Sequence, residues 1–359
     1  MLAAPYCGLL LADLGAEVIK IEARDGDISR QVGSHAIGPH NAYFASLNRN
    51  KKSVQLDLTT AEGQEQLGRL ARASHALLVN MKPSTIKKLG LTYDALKRWN
   101  ERLVCVALTG YGLDGSEAER PAFDYVIQAV TGIASLTGEP DGPPTLAGYS
   151  AVDNSSGIMA ALGLLAKIVE GRGGQIDVSL HDVMLSQLNY KASSYLNGGE
   201  EPMRHASGSH SFYVPAQLFE TTDGYLALFV THDEFWRRVA VELGRESWIT
   251  DPRFATMKER SAHRDELLAE LRPLLLADTS DGWVRRLRPL GIPVAAVSSL
   301  PTALESDLTR EREMVVEIAT PAGTIRSVGN PIKVSGHTTR YEPPPLLGEH
   351  TQELSSEAP

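Results

Sequence analysis

Apolar positions along the chain change period again and again, and the changes mark elements. From Ala160 they recur at helical spacing (Ala160, Ala161, Leu164, Leu165, Ile168) until the glycines at 171, 173 and 174, which predicts a helix ending there. From Gln175 to Leu180 the period drops to two, with Ile176, Val178 and Leu180 set against Gln175, Asp177 and Ser179: a strand. The same exchange runs from the start. Pro5–Leu14 reads as a helix with Leu9, Leu10 and Leu14 on one face and Gly15 behind it, and Val18–Ile21 as a short buried strand. Residues 23–46, rich in Gly, Asp, Ser and His, read as loop. Ser53–Leu58 reads as a strand with Val54, Leu56 and Leu58 inward. Thr59-Thr60-Ala61-Glu62 is a capping box opening a helix that carries Leu67, Leu70 and Ala71. His75–Val79 (strand), Tyr93–Asn100 (helix) and Leu103–Leu108 (strand) continue the alternation. Strands alternating with helices predict an α/β fold with a largely parallel, Rossmann-like sheet.

The pattern changes after about Leu196. Residues 197–216 form a polar, Gly-rich linker. Tyr225–Val230 then reads as a strand, 234–243, 262–277 and 280–290 as helices, Gly291 as a stop and Val294–Val297 as a strand. The expected organisation is a large Rossmann-like domain over 1–196, a linker over 197–216 and a smaller α/β domain over 217–309. Residues 310–359, strand-like from Met314 and Pro-rich at Tyr341–Leu347, are too few to stand alone and are expected to return to the large domain.

Composition narrows the classes. A length of 359 residues accommodates two domains, and 42% hydrophobic with 22% charged residues is ordinary for a globular enzyme. A net charge of −9 argues against nucleic acid and against a polybasic membrane surface as partner. No apolar run approaches the roughly 20 residues a membrane span needs, and the apolar start MLAAPYCGLLLADLG lacks the basic residues of a signal peptide. Cys7 and Cys105 stand far apart with no CxxC, so neither a disulfide scaffold nor structural zinc is expected, and a reducing cytoplasm is. GxxxxGK[ST], GxSxG and HExxH are all missing.

One acidic residue stands out. Asp153 follows a Pro/Gly-rich approach, PPTLAGYSAV, at the start of the apolar helix. As an N-cap it would accept from an unpaired N–H one turn in. As a catalytic group it would be a carboxylate held ionised by the helix N-terminus, able to attack a thioester. The residues around it do not decide between the two. Lys51, Lys52, Lys87 and Lys88 are likewise either a solvated basic face or phosphate ligands.

Several phrases taken together resemble family III CoA-transferases, the group of formyl-CoA and carnitine CoA-transferases. They are APYCGLLLADLGAEVIKIE (4–22), LNRNKKSVQLDL (47–58), LVNMKPSTIKKLGLTYDAL (78–96), the run 106–144, AVDNSSGIMAALGLLA (151–166), GGQIDVSL (173–180), SVGNPIKVSG (327–336) and PPPLLGEHT (343–351). They follow the family's order over most of the chain. The resemblance implies that Asp153 is the nucleophile and that CoA is carried through an aspartyl anhydride and an aspartyl-CoA thioester to a small carboxylic acid, with no metal. A backbone N–H cluster at the helix start would stabilise the oxyanions. The resemblance further implies that CoA contacts Leu2, Ala3, Arg24, Leu56, Asp57, Leu58, Thr59, Asn80, Met81, Lys82 and Lys88, with Pro121, Ala122, Phe123 and Asp124 beside the pantetheine. It implies an interlocked homodimer, and His210 matches a histidine frequent in relatives, here read as structural. An α-methylacyl-CoA racemase of the same superfamily is the alternative. It needs a histidine just before the aspartate matching Asp124, where this chain has Phe123. Two departures stand out. The family opens with a further strand before Ala4-Pro5, so either the chain starts upstream or the sheet has lost that strand. Thr231-His232-Asp233 replaces a Gly-Asn-Asp.

Overall fold

The computed structural model describes residues 1–33 and 35–357. It divides into two compact units. The first takes Met1–Ile133, Ala147–Ser193 and the residues from Leu304 onward; the second takes Ala134–Leu146 and Ser194–Ala303.

In the first unit the elements are α1 (Ala3–Asp13), β1 (Val18–Glu22), α2 (Ala42–Asn48), β2 (Lys51–Gln55), α3 (Ala61–Ala73), β3 (Ala76–Val79), α4 (Pro83–Lys88), β4 (Val104–Thr109), α5 (Asp124–Val130), α6 (Ala151–Glu170), β5 (Gly174–Ser179) and α7 (Leu180–Gln187). An antiparallel hairpin, Val315–Thr320 with Gly323–Val328, is added late in the chain. All pairings among β1 to β5 are parallel, but they form two groups rather than one sheet. β1 pairs β2 from Val18↔Lys51 to Glu22↔Gln55, and β4 pairs β3 on one side and β5 on the other. Among the described residues no strand precedes α1.

Every residue of β4 is buried, and its period-two pattern feeds two cores. Val104, Val106 and Leu108 pack with Cys7 of α1, Ile127 of α5, Ala160 and Leu164 of α6 and Val183 of α7. Cys105 and Ala107 pack with Leu67 and Ala71 of α3 and Ile86 of α4. Helix α6 crosses α1 at Gly157, where a Cβ would stand 2.7 Å from the Ala3 carbonyl oxygen; only glycine lets the two backbones approach so closely. It ends at Gly171, left-handed at φ +77°, whose N–H reaches the Ile168 carbonyl. By length and composition α6 is a helix that could cross a membrane, contrary to the expectation that no apolar run reaches that length.

Other boundaries also shift. Residues 23–46 hold a 3-10 turn (Ile28–Arg30) and the start of α2, which Asn41 caps by accepting from Phe44 N–H at 2.7 Å. β2 begins earlier than expected and ends before Leu56. Helix α3 is capped by Thr60, whose hydroxyl accepts from Gly63 N–H at 3.0 Å, because the Thr59 hydroxyl is already bound to Asp57. The helix expected over Tyr93–Asn100 is one short turn, Tyr93–Leu96.

The second unit is built on an antiparallel sheet of β6 (Ala216–Glu220), β7 (Tyr225–Phe229) and β8 (Val294–Ala296), in the order β8–β7–β6. Its core joins Phe219, Leu226 and Leu228 to Trp236, Trp248, Phe254, Leu271 and Trp283, with the Trp236 and Trp248 rings stacked 5.5 Å apart. Residues 197–216 belong to this unit and are tied into it. The Arg204 guanidinium donates to the carbonyls of Gly142 and Pro143, and that of Arg264 to the carbonyls of His210 and Ser211.

Candidate active site

Asp153 is the third residue of α6, one turn into the helix, and is not its cap. Ser150 holds the N-cap position without a side-chain bond. The free N–H groups are taken from outside the helix by Asp124, the first residue of α5 and itself buried. Its Oδ2 accepts from Val152 N–H at 2.8 Å and from Asp153 N–H at 3.1 Å. Its Oδ1 accepts from the Gln128 side-chain amide at 2.6 Å, and the Gln128 carbonyl oxygen accepts from Ala147 N–H at 2.9 Å. The expectation that N–H groups at this helix start stand ready for an oxyanion is therefore corrected, because two of them already serve Asp124.

The electrostatics also differ from the expectation. Burial, and after it the negative charge of Asp124, pushes the Asp153 carboxyl up to about 6, so the helix N-terminus does not dominate. At pH 7 such a group is still about nine-tenths ionised. A half-buried tyrosine, Tyr43 in the first turn of α2, lies within electrostatic reach. Its hydroxyl pKa is raised first by burial and next by the charge of Asp153, which keeps it a proton donor. Tyr43 lies in a stretch that reads as loop from the sequence; the one local signal for its helix is Asn41 as a cap before AYFASLN.

Phe123 precedes α5 and is 68% exposed, with Pro121 also exposed. Ala122 packs on Gly110, where an added Cβ would approach the Ala122 Cβ to 2.4 Å. Leu2 precedes α1 and is half-buried, and Ala3 is in the core.

Apart from Lys88, the remaining predicted contacts lie just past the C-terminal ends of parallel strands, where α/β sheets bind ligands. Arg24 follows β1 and is exposed, its carbonyl accepting from the Gln55 amide at 3.0 Å. Leu56–Thr59 follow β2. There Leu56 is buried and Leu58 half-buried, while Asp57 and Thr59 are exposed and close a turn in which Thr59 N–H and Oγ1 both donate to Asp57 Oδ1. Asn80, Met81 and Lys82 follow β3; the Asn80 amide donates to the Leu108 carbonyl at 2.6 Å, and Met81 and Lys82 are exposed. Lys88 is exposed in the last turn of α4.

Lys51 is at the other end of β2 and is no phosphate ligand. It is buried, donates to the carbonyls of Pro5 and Leu47 at 2.7 Å and to Asn48 Oδ1 at 3.0 Å, and burial holds its pKa well below that of an ordinary lysine. Lys52 pairs with Glu17 and Glu353, and Lys87 with Asp114. A cavity of about 820 Å³ beside Lys51 and Lys52 is lined by His40, Arg340 and Glu342 among others, and by neither Asp153 nor the strand-end residues. In the second unit, His210 Nδ1 accepts from Phe212 and Tyr213 N–H, with its ring near Tyr213 and Phe229.

The family model of CoA-transferase family III matches residues 1–351. A probable fatty acyl-CoA transferase of Mycobacterium tuberculosis is 33% identical, covering 97% of this chain and 92% of its own length. The succinate–glutarate CoA-transferase of Agrobacterium fabrum is also 33% identical, over 99% and 92%. The crystal structure of a CaiB/BaiF family protein from Brucella suis superposes with a TM-score of 0.86 at 31% identity, covering 100% of this chain and 96% of that one. Over its whole matched length, then, the chain belongs to CoA-transferase family III and is an acyl-CoA:carboxylate CoA-transferase.

Proposed function

We propose that Asp153 is the nucleophile of the transfer. Its carboxylate oxygen attacks the carbonyl of the donor acyl-CoA, the C–S bond breaks, and CoA leaves as thiolate from a mixed aspartyl anhydride. The thiolate then attacks the aspartyl carbonyl, expelling the donor acid and leaving a thioester on Asp153. The acceptor carboxylate attacks that thioester carbonyl and frees the thiolate again. The thiolate finally attacks the acyl carbonyl of the new anhydride, giving the product acyl-CoA and restoring Asp153. Each step exchanges activated acyl groups of similar energy. The carrying observation is Asp153 itself, a carboxylate fixed one turn into α6 and pushed up to about 6, which makes it more basic than a solvated aspartate while leaving it mainly ionised at neutral pH.

CoA is proposed to lie along the strand ends, over Leu2, Ala3, Arg24, Leu56–Thr59 and Asn80–Lys82, with Lys88 on a phosphate and Pro121–Phe123 beside the pantetheine. Asp124 leaves this contact set, since both its oxygens are bound within the protein. The β2–β1 and β3–β4–β5 groups match places 3-2 and 4-5-6 of the Rossmann order 3-2-1-4-5-6. Place 1, where the family's opening strand would lie, is held by no described strand. The acids exchanged are proposed to be small carboxylic acids, and the compartment a reducing cytoplasm. Burial pushes both cysteine thiols up to about 12, which suits thiols that stay reduced.

A racemase reading is not favoured, because Phe123 supplies no base beside Asp124. A homodimer is proposed, because α6 turns Ile158, Leu162, Leu165 and Val169 outward as an exposed apolar stripe. Sedimentation at micromolar concentration tests it, and a stable monomer would rule it out. For the chemistry, the protein is incubated with a panel of acyl-CoAs and acids and read by mass spectrometry. Hydroxylamine is expected to inactivate only in the presence of acyl-CoA, with the adduct on Asp153. An Asp153→Asn variant is expected to lose transfer by about 10³-fold or more. Wild-type turnover in that variant sinks the assignment.

A further inference from the structure

We propose that Asp124 is the positioning residue of this site: through α6 N–H groups on one side and Gln128 on the other, it fixes where the Asp153 carboxylate points. The inference rests on the reading of Asp153 as nucleophile. No side-chain cap local to α6 orders its first turn, since Ser150 makes none. Order comes instead from a chain of five residues on two segments. Val152 and Asp153 donate to one oxygen of Asp124, Gln128 donates to the other, and Ala147 donates to Gln128. Asp124 and Gln128 are both buried, and they stand one turn apart on α5. The approach to the helix at Ala147 and its first turn are therefore held by one rigid side-chain relay. Truncating any link leaves a buried polar group unsatisfied.

The relay has a direction, which makes it testable. A carboxylate at 124 can only accept, so the Gln128 amide must face it and the Gln128 carbonyl must face Ala147. Asp124→Asn breaks that logic. One oxygen of the new amide can still serve Val152 and Asp153, but its NH₂ group then meets the NH₂ group of Gln128. If Gln128 turns over, its NH₂ meets the Ala147 N–H instead. Adding Gln128→Glu repairs the chain, because the new carboxylate accepts from the asparagine amide and from Ala147 together. In the double variant every hydrogen bond returns, but the negative charge has moved one helical turn along α5, from 124 to 128.

Position and charge thus separate. The groups facing Asp153 are Asp124 on α5, Tyr43 on α2 and the amino group of Met1 ahead of α1; only the first changes. The experiment measures kcat and the pH profile of kcat/KM for acyl-CoA, with thermal unfolding alongside. Asp124→Asn is expected to lower kcat about 10- to 100-fold through misplacement. It should also move the acid limb of the profile, near pH 6 in the wild type, to lower pH by about one unit, because a like charge has gone. The double variant is expected to recover stability and most of kcat while its acid limb stays low. A merely structural role would show in the stability of Asp124→Asn and leave its kcat per folded molecule near wild type. If the limb stays in place in both variants, or if the refolded double variant recovers no activity, the inference is overturned. Failure of the underlying reading looks different: Asp153→Asn would then turn over normally whatever happens at 124.

Discussion

Two buried charge clusters lie within the first unit and are built on opposite rules. Around the start of β2 every charge meets an opposite charge or a ring of carbonyls. The Arg49 guanidinium lies on the Asp13 carboxylate, with contacts of 3.0 and 2.5 Å, and also donates to Ser327 Oγ and the Val328 carbonyl. Lys51, next along, is satisfied by two carbonyls and Asn48. At the start of α6 two carboxylates, Asp124 and Asp153, lie within electrostatic reach, and among the described residues only Asp124 has its oxygens bound by protein donors. The first arrangement ties α1, β2 and the late hairpin together. The second leaves one carboxylate under-satisfied, half-buried and repelled by its neighbour, a state that folding alone would not favour and that a nucleophile requires.

If that distinction is right, the paired cluster should carry stability and little chemistry. Arg49→Met leaves Asp13 buried with only the Asn50 amide as side-chain partner, and breaking such a pair costs about 3–5 kcal/mol. Urea unfolding is expected to show that loss, with kcat per folded molecule near wild type. Replacing Asp13 by Leu in the same chain should recover most of it, since an apolar pair of similar volume often replaces a buried ion pair at no net loss. A single variant that keeps full stability but loses turnover would make the two clusters one functional system.

How much of this was legible in the sequence follows from the range of the interactions. Helix α6 and strand β5 were readable because the apolar period is local and the stop at Gly171 is a one-residue signal. Asp153 was visible as a lone acid at a helix start. Its relation to Asp124 was not, because the bonds that set it span 28 and 29 residues and leave no periodic trace. Tyr43 was lost with its helix, as α2 is only seven residues long and lies within a polar stretch. Lys51 misled because lysine is rarely buried. What buries it here is the meeting of the α1 and α2 carbonyls, which only the folded chain supplies. The units divide at Ser193 and Leu304, whereas the sequence pattern changes at about 196 and 310, because packing rather than composition sets which unit a segment joins.

The smallest expected effect is also the sharpest test of the difference between the clusters, because it concerns the sign of a stability change. In the folded chain the Asp153 carboxyl is raised from 3.8 to about 6, mainly by burial and next by Asp124. The folded state therefore binds a proton more tightly than the unfolded state does. Stability from this group is complete below about pH 4 and is lost as the pH rises through about 6. Above that the ionised carboxylate is a standing penalty, about 2 kcal/mol at most once partial exposure is allowed for. Asp153→Asn removes the titration and leaves the Asp124 bonds to the helix N–H groups untouched, since those come from the backbone. The variant is thus expected to be more stable than the wild type at pH 8 and to lose that advantage by pH 4. Groups not coupled to Asp153 titrate alike in both proteins and cancel in the difference. Urea unfolding of the pair at several pH values reads it directly. A difference that stays constant with pH, or grows as the pH falls, would place Asp153 among the satisfied structural charges with Asp13 and Arg49.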